Sequence, residues 1–172
     1  MIILYAIIAV ALITFDQISK NWAIHALAMQ EPIVVFPEVF EFRYTENRGV
    51  AFSMLQDQRW VFIPVSLLMT AVLVAMLIRS PMRRNQLFSL ATTMVIAGAI
   101  GNLIDRIFLG YVVDFLYFRL IDFPIFNVAD CFVVVGAGLL FVYCLFGMKD
   151  LEDLPMRTLL FGIEKKKETD HG

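Results

Sequence analysis

The sequence predicts an all-α membrane protein with four transmembrane helices and a small extracytoplasmic β region. Hydrophobic residues make up 60% of the 172-residue chain and charged residues only 17%, whereas soluble domains are roughly 45–50% apolar and about 25% charged. The apolar residues form four long runs, and a helix of about 20 such residues spans a bilayer. The formal net charge of −2 gives no reason to expect a nucleic acid as partner. We expect residues 1–172 to form one integral membrane domain.

The first apolar run predicts a retained transmembrane helix. Residues 2–15 are apolar except for Thr14, and the helix can continue to about residue 24. A signal peptide would have basic residues before the run and a small-residue cleavage site after it. Here no basic side chain precedes the run, and Asp-Gln-Ile-Ser-Lys follows it. We therefore predict a span over about 2–24.

The segment after the first span predicts β structure at the membrane surface. Apolar and polar residues alternate over 40–45, which is the period-two pattern of a strand. Residues 46–49 are typical of a turn. Residues 50–55 are either a return strand or an apolar lip. We expect a small sheet within about 30–56.

Three further runs predict the remaining spans, at about 60–78, 87–104 and 128–147. The second span has no charged residue, and Pro64 lies close to its start, where a proline is tolerated. The third span contains small residues over 97–101, which let helices approach closely in lipid. Residues 148–172 form a tail.

Arginine and lysine in the short loops predict the orientation. The 79–86 loop and the tail are rich in these residues, so both are expected to be cytoplasmic, as are both termini. The segments 16–59 and 104–125 are then extracytoplasmic. This threading brings the polar side chains embedded in apolar sequence to one membrane face. They are Asp16, Lys20, Asn47, Asn102, Asp105, Arg106, Asp114, Asn127 and Asp130.

These side chains favour acid–base chemistry over covalent catalysis. Ser19 and Lys20 are adjacent and point apart on a helix, neither histidine has a triad partner at a telling spacing, and no His or Cys set has zinc spacing. Two aspartates held close share a proton, so one is a base for water and the other an acid toward a carbonyl oxygen. Asp114 and Asp130 are the candidates because apolar residues surround both.

Each polar residue also has a structural interpretation. Asp105 is adjacent to Arg106, so we expect it to pair with that residue or to orient the loop. The other structural alternatives are helix capping by Asp130 and Asn127, an ion pair between Asp16 and Lys20, a turn at Asn47 and Gly49, and an ordinary loop carboxylate at Asp114.

The motifs resemble those of a known family. They are Asp-Gln-Ile-Ser-Lys at 16–20, Asn-Arg-Gly-Val-Ala-Phe at 47–52, Gly-Asn-Leu-Ile-Asp-Arg at 101–106, Val-Val-Asp-Phe at 112–115 and Phe-Asn-Val-Ala-Asp at 126–130. In this order they resemble the signal peptidase II family, the lipoprotein signal peptidases, which are aspartic proteases of the bacterial inner membrane. The chain departs from the family at Ala97 and Gly98, where a glycine pair is frequent.

The resemblance implies four transmembrane helices with a periplasmic β-cradle and a catalytic dyad of Asp114 and Asp130. It implies a prolipoprotein substrate that is cut just before its diacylglyceryl-modified cysteine, without a cofactor or metal. We expect a monomer in contact with membrane lipid, in the bacterial inner membrane, with the active site facing the periplasm. The residues implied to line or support the site are Asp16, Lys20, Asn47, Gly49, Asn102, Asp105, Arg106 and Asn127.

The residues alone leave two other classes of function possible. A membrane phosphotransferase would hold Mg²⁺ with Asp105, Asp114 and Asp130, and chelators would inhibit it. A proton-coupled transporter would use the carboxylates as a relay. It would need acids near mid-membrane and repeated halves, whereas these acids lie at one face and the sequence shows no repeat.

Overall fold

The computed structural model describes residues 2–49 and 59–147 together with Thr158. Four long helices account for most of the described chain, with bounds close to those expected from the apolar runs. They are α1 Ile2–Leu27, α2 Arg59–Arg79, α3 Gln86–Phe108 and α4 Val128–Phe146. Apart from Thr158, the tail 148–172 lies outside the described residues.

Three of the helices, α1, α3 and α4, are long and apolar enough to cross a membrane. Within α2, the apolar stretch Ile63–Arg79 is shorter. Pro64 is the sixth residue of α2, one residue further in than expected, where it removes an internal hydrogen bond. Large apolar side chains of α1 and α4 are exposed, as expected for helices that face lipid. The helix α3 lies at the centre and packs against the other three.

A three-stranded antiparallel sheet covers the ends of α1 and α3. Its strands are β1 Ile33–Phe36, β2 Phe40–Asn47 and β3 Val112–Tyr117, in the order β1-β2-β3. The strand predicted over 40–45 is confirmed. Its partner β3 comes from the segment between α3 and α4, so Asp114 lies in a strand opposite Thr45, and the expectation of a loop carboxylate was wrong. The suggested return strand at 50–55 lies outside the described residues.

The sheet is anchored on α1 by a small apolar core. Ala23 and Leu27 of α1 pack with Val113 and Phe115 of β3, and all four are buried. Successive side chains of a strand point to opposite faces. With its two neighbours turned toward α1, Asp114 is therefore directed away from that core, toward the ends of α3 and α4.

Glycines allow the close approach of α3 and α4 that the small-residue run predicted. A Cβ atom at Gly98 would collide with the carbonyl oxygen of Ala129, and one at Gly136 would lie 2.8 Å from the carbonyl oxygen of Ala91. Real Cβ atoms essentially never come this close to a backbone atom. The two helices therefore pack with their backbones nearly in contact, which brings the end of α3 next to the start of α4.

Candidate active site

Asp114 is almost fully buried and is held by two carboxamides. Its exposed fraction is 1%. Its Oδ2 accepts a hydrogen bond from Nδ2 of Asn47 at 2.9 Å, and its Oδ1 accepts one from Nδ2 of Asn127 at 2.6 Å. The carboxamide of Asn47 is itself oriented, because its Oδ1 accepts the N–H of Gly49 at 3.0 Å. Gly49 has a φ of 90°, a conformation that favours glycine.

Asp130 lies in the first turn of α4 and takes part in a capping box. The side chain of Asn127 accepts the N–H of Asp130 at 3.0 Å, and Oδ2 of Asp130 accepts the N–H of Asn127 at 3.1 Å. The capping interpretation of both residues is therefore confirmed. The other oxygen, Oδ1, accepts Nδ2 of Asn102 at 2.8 Å. The carboxylate lies at the positive end of the helix, where negative charge is stabilised.

Asn127 joins the two aspartates. Its fully buried side chain donates from Nδ2 to Asp114 and also to Oδ1 of Asn102 at 3.0 Å. Through its backbone and its Oδ1 it contacts Asp130. Asp114 and Asp130, which we call the aspartate pair, are thus positioned by one shared residue, although they come from a strand and a helix.

A second group of polar side chains, all buried except the half-buried Gln17, adjoins the aspartate pair. We call Asp16, Gln17, Lys20 and Asp105 the lysine cluster. The ammonium of Lys20 lies 3.0 Å from Asp16 Oδ2, 2.9 Å from Asp105 Oδ2 and 3.0 Å from Asn102 Oδ1. The expected ion pair between Asp16 and Lys20 is confirmed. Since Asn102 also donates to Asp130, this residue connects the two groups.

Asp105 ties the end of α3 to the start of β3. Its carboxylate forms an ion pair with Lys20 on α1, whereas the sequence had suggested the adjacent Arg106 as a partner. Its Oδ2 also accepts the N–H of Val113 at 3.1 Å, which agrees with the expected role in orienting the connecting segment. Arg106 donates to the carbonyl oxygen of Asn102 at 3.2 Å, and its charge is attracted to Asp130, Asp114 and Asp105.

Sequence reasoning missed Gln17 as a member of the site. Its Nε2 lies within 3.2 Å of Asp16 Oδ2, Asp105 Oδ1 and the carbonyl oxygen of Gly101. The remaining oxygen of Asp16 accepts the N–H of Ala129 at 2.9 Å. The signal was present, because Gln17 lies between Asp16 and Lys20 in the first motif. Two of its three partners lie 84 and 88 residues away in the chain, so spacing could not reveal them.

Burial raises the pKa of Asp114 from its ordinary value of 3.8 to about 6. The negative charge of Asp130 acts in the same direction, whereas the hydrogen bonds from Asn47 and Asn127 and the charge of Lys20 act against it. Removing a carboxylate from water disfavours its charged form. Asp114 can therefore hold or release a proton near neutral pH.

An apolar cavity of about 550 Å³ opens beside Asp130. Its walls come from the segment before α4 and from one face of α4. They are Phe118, Ile121, Phe123, Phe126, Cys131, Val134 and Val135. Hydrocarbon fits such a surface, so an apolar group bound there would lie beside Asp130.

Within residues 2–49 and 59–147, no group of three or more His, Cys, Asp or Glu side chains is arranged to hold a metal ion. The three aspartates considered above for Mg²⁺ are instead engaged with amides, a lysine and backbone N–H groups. Two adjacent carboxylates can activate water and protonate a carbonyl oxygen by themselves.

The chain is similar in sequence to curated lipoprotein signal peptidases. The sequence is 45% identical over 144 residues to the lipoprotein signal peptidase of Clostridioides difficile (strain 630), over 83% of this chain and 95% of that protein. It is 38% identical over 150 residues to the lipoprotein signal peptidase of Streptococcus pyogenes, over 87% and 97%.

A solved bacterial membrane enzyme, determined by the in meso method at 2.3 Å resolution, has the same fold. The TM-score is 0.77 at 28% identity, over 88% of this chain and 93% of that chain. A family model described as signal peptidase (SPase) II matches residues 8–146. Since that match includes the aspartate pair, the lysine cluster and most of the chain, the protein belongs to the signal peptidase II family of membrane proteases.

Proposed function

We propose that this protease removes the signal peptide from prolipoproteins by cutting just before a diacylglyceryl-modified cysteine, with Asp114 and Asp130 as its catalytic residues. The observation that carries the proposal is the aspartate pair itself. Two carboxylates, one on β3 and one on α4, are held by the same buried Asn127, and Asp130 lies at the edge of an apolar cavity. Membership of a signal peptidase family supplies the reaction class.

The two aspartates have different environments, which supports different roles. Asp114 is buried, and its pKa of about 6 makes the protonated form more accessible than in an ordinary aspartate. Asp130 lies at the positive end of α4 and accepts two N–H donors, which stabilise a charged carboxylate. We therefore assign Asp130 as the base and Asp114 as the acid.

The reaction then needs no covalent intermediate. Asp130 takes a proton from water, the oxygen attacks the scissile carbonyl carbon, and Asp114 donates its proton to the carbonyl oxygen. In the second step Asp130 returns its proton to the leaving nitrogen. Asp114 recovers a proton from one hydroxyl of the tetrahedral intermediate as the C–N bond breaks. Both aspartates end in their starting states.

The surrounding polar residues position this pair. Asn47, oriented by Gly49, and Asn127 hold Asp114, while Asn102 holds Asp130. The other support residues act through Asn102 or through the backbone. They are Asp16, Lys20, Asp105 and Arg106.

We infer that all four helices cross the bacterial inner membrane as a monomer, with both termini in the cytoplasm. The arginines of the 79–86 loop support this orientation, which places the aspartate pair at the periplasmic face. The substrate is a membrane-embedded helix with attached acyl chains. The apolar cavity beside Asp130 offers these groups a surface in contact with lipid.

Cleavage of a purified diacylglyceryl-modified precursor in detergent, with a chelator present, tests this proposal. Asp114→Asn and Asp130→Asn should each lower kcat by about 100- to 10,000-fold, because each removes a proton-transfer group. Glu38→Gln is the matched control, since it makes the same change at an exposed carboxylate and should cleave normally.

An equal thermal unfolding midpoint for all three variants would show that folding is intact. Normal turnover by either aspartate variant would contradict the assignment. Loss of activity on chelation would favour the Mg²⁺-dependent alternative.

A further inference from the structure

A second cavity lies at the opposite end of the helices from the aspartate pair. Its volume is about 460 Å³, and its walls are Ile2 and Ile3 of α1, Leu77 of α2, and two arginines, Arg83 and Arg84. On α3, Ser89 at this cavity and Asn102 at the site are 13 residues apart, or about 20 Å along a helix. The cavity is therefore separate from the catalytic site.

The two arginines are presented on a fixed turn. They end the 3-10 turn Pro81–Arg84, whose Met82 is buried against Phe88 and Tyr143. The hydroxyl of Ser89 donates to the carbonyl oxygen of Arg83 at 2.9 Å. Because the Met82 side chain is packed and the backbone of Arg83 is hydrogen-bonded, the turn is fixed and presents both arginines at the cavity.

The guanidinium groups are available to a ligand. Both side chains are exposed, and neither forms an ion pair with the described part of the chain. Arg83 donates from one nitrogen to the carbonyl oxygen of Ile78, but an arginine carries five N–H donors in a fork that suits phosphate. The aliphatic walls beside them suit an alkyl chain. Only a ligand with an anionic group and an alkyl chain suits both the arginines and the aliphatic walls of the cavity.

We propose that this cavity binds one anionic phospholipid, with the phosphate on Arg83 and Arg84 and the first part of an acyl chain against Ile2, Ile3 and Leu77. Basic pockets between membrane helices on the cytoplasmic side have this ligand chemistry. The proposal is independent of the proposed catalytic function, because it involves none of the residues of that site.

Native mass spectrometry of the full-length protein, titrated with dioleoyl phosphatidylglycerol or dioleoyl phosphatidylcholine, tests the proposal. The unmodified protein should bind one phosphatidylglycerol in preference to phosphatidylcholine. Arg84→Gln should weaken this binding about fivefold, and Arg83→Gln with Arg84→Gln about 30-fold, as expected for loss of one and two basic residues near a lipid surface. Replacing both by lysine should preserve most of the binding.

Two controls identify the ligand. Arg79→Gln removes a basic residue at the same end of the helices that does not line the cavity, and it should bind lipid normally. Ile3→Trp fills the apolar part without changing the charge, so it should weaken lipid binding while leaving any binding of inorganic phosphate unchanged.

Equal affinity for the two lipids, or normal phosphatidylglycerol binding in the double glutamine variant, would overturn the proposal. Normal lipid binding in Ile3→Trp, with inorganic phosphate bound through the same arginines, would show a free-anion site instead. Unchanged thermal unfolding midpoints would show that the variants are folded.

Discussion

The lysine cluster and the aspartate pair lie next to each other, but their carboxylates are stabilised in different ways. In the lysine cluster, Asp16 and Asp105 share the buried ammonium of Lys20. In the aspartate pair, the described hydrogen bonds come from carboxamides and a backbone N–H, which are neutral. A carboxylate that shares a buried cation is costly to alter, whereas burial raises the pKa of Asp114 to about 6, within the range where a proton can be exchanged. The first arrangement suits structure and the second suits acid–base catalysis.

The largest effect expected from this difference is on stability. Lys20→Met should lower the free energy of unfolding by about 3–5 kcal/mol, because two buried carboxylates lose their shared cation. Asp114→Asn should change it far less, since the amide keeps the size of the side chain. Denaturation by heat or by sodium dodecyl sulfate, monitored by circular dichroism, measures the difference.

Arg48→Met is the matched control for Lys20→Met. It also removes a cation from an ion pair, but the pair with Glu46 is largely exposed and is expected to contribute about 0–1 kcal/mol. If Lys20→Met and Arg48→Met unfolded at the same denaturant concentration, the lysine cluster would not have the structural role assigned to it.

A smaller effect is expected at the contact between α1 and α3. A Cβ atom at Gly101 would lie 2.5 Å from Oδ2 of Asp16, so Gly101→Ala must displace a carboxylate that is held by Lys20. We expect a loss of about 1–3 kcal/mol, the usual cost of overpacking. Thermal unfolding measures it.

Gly138→Ala provides the control for Gly101→Ala. Nothing lies within 4 Å of a Cβ atom at Gly138, so alanine should be neutral or should stabilise α4 by up to about 1 kcal/mol through helix propensity. Equal destabilisation of both variants would indicate a general effect of alanine, and would remove the evidence that α1 and α3 pack tightly at the cluster.

The smallest expected effect is a shift in pH dependence. As the acid, Asp114 must be protonated, so kcat/KM should fall as the pH rises through its pKa of about 6. The hydrogen bond from Asn47 stabilises the charged form and lowers this pKa. Asn47→Ala should therefore raise the pKa and move the falling limb of the profile to higher pH.

Glu46→Gln is the control for the pH profile, because it changes the neighbouring residue of β2, which has no hydrogen bond with Asp114 among the described contacts. The falling limb of the kcat/KM profile of Glu46→Gln should lie at the same pH as in the unmodified protein. A limb that moved to lower pH in Asn47→Ala would contradict the assignment of Asp114 as the acid.

Features that depend on local spacing could be predicted from the sequence alone. Long apolar runs predicted the positions of the helices, because a helix that faces lipid needs such a run. Residues three or four apart share a helix face or a helix end. The capping box between Asn127 and Asp130 and the ion pair between Asp16 and Lys20 follow from that spacing. The order and orientation of the four predicted spans placed the polar residues together at one membrane face.

Which residues meet within that cluster depends on the three-dimensional fold. Asn47 reaches Asp114 across 67 residues because β2 pairs with β3, and Asp16 accepts the N–H of Ala129 across 113 residues. Such contacts carry no periodic signal in the sequence, since they depend on strand register and on the close packing of α3 and α4. Both aspartates could therefore be predicted from the sequence, whereas the fold determines that Asn127 holds them together and that Lys20 pairs with Asp16 and Asp105.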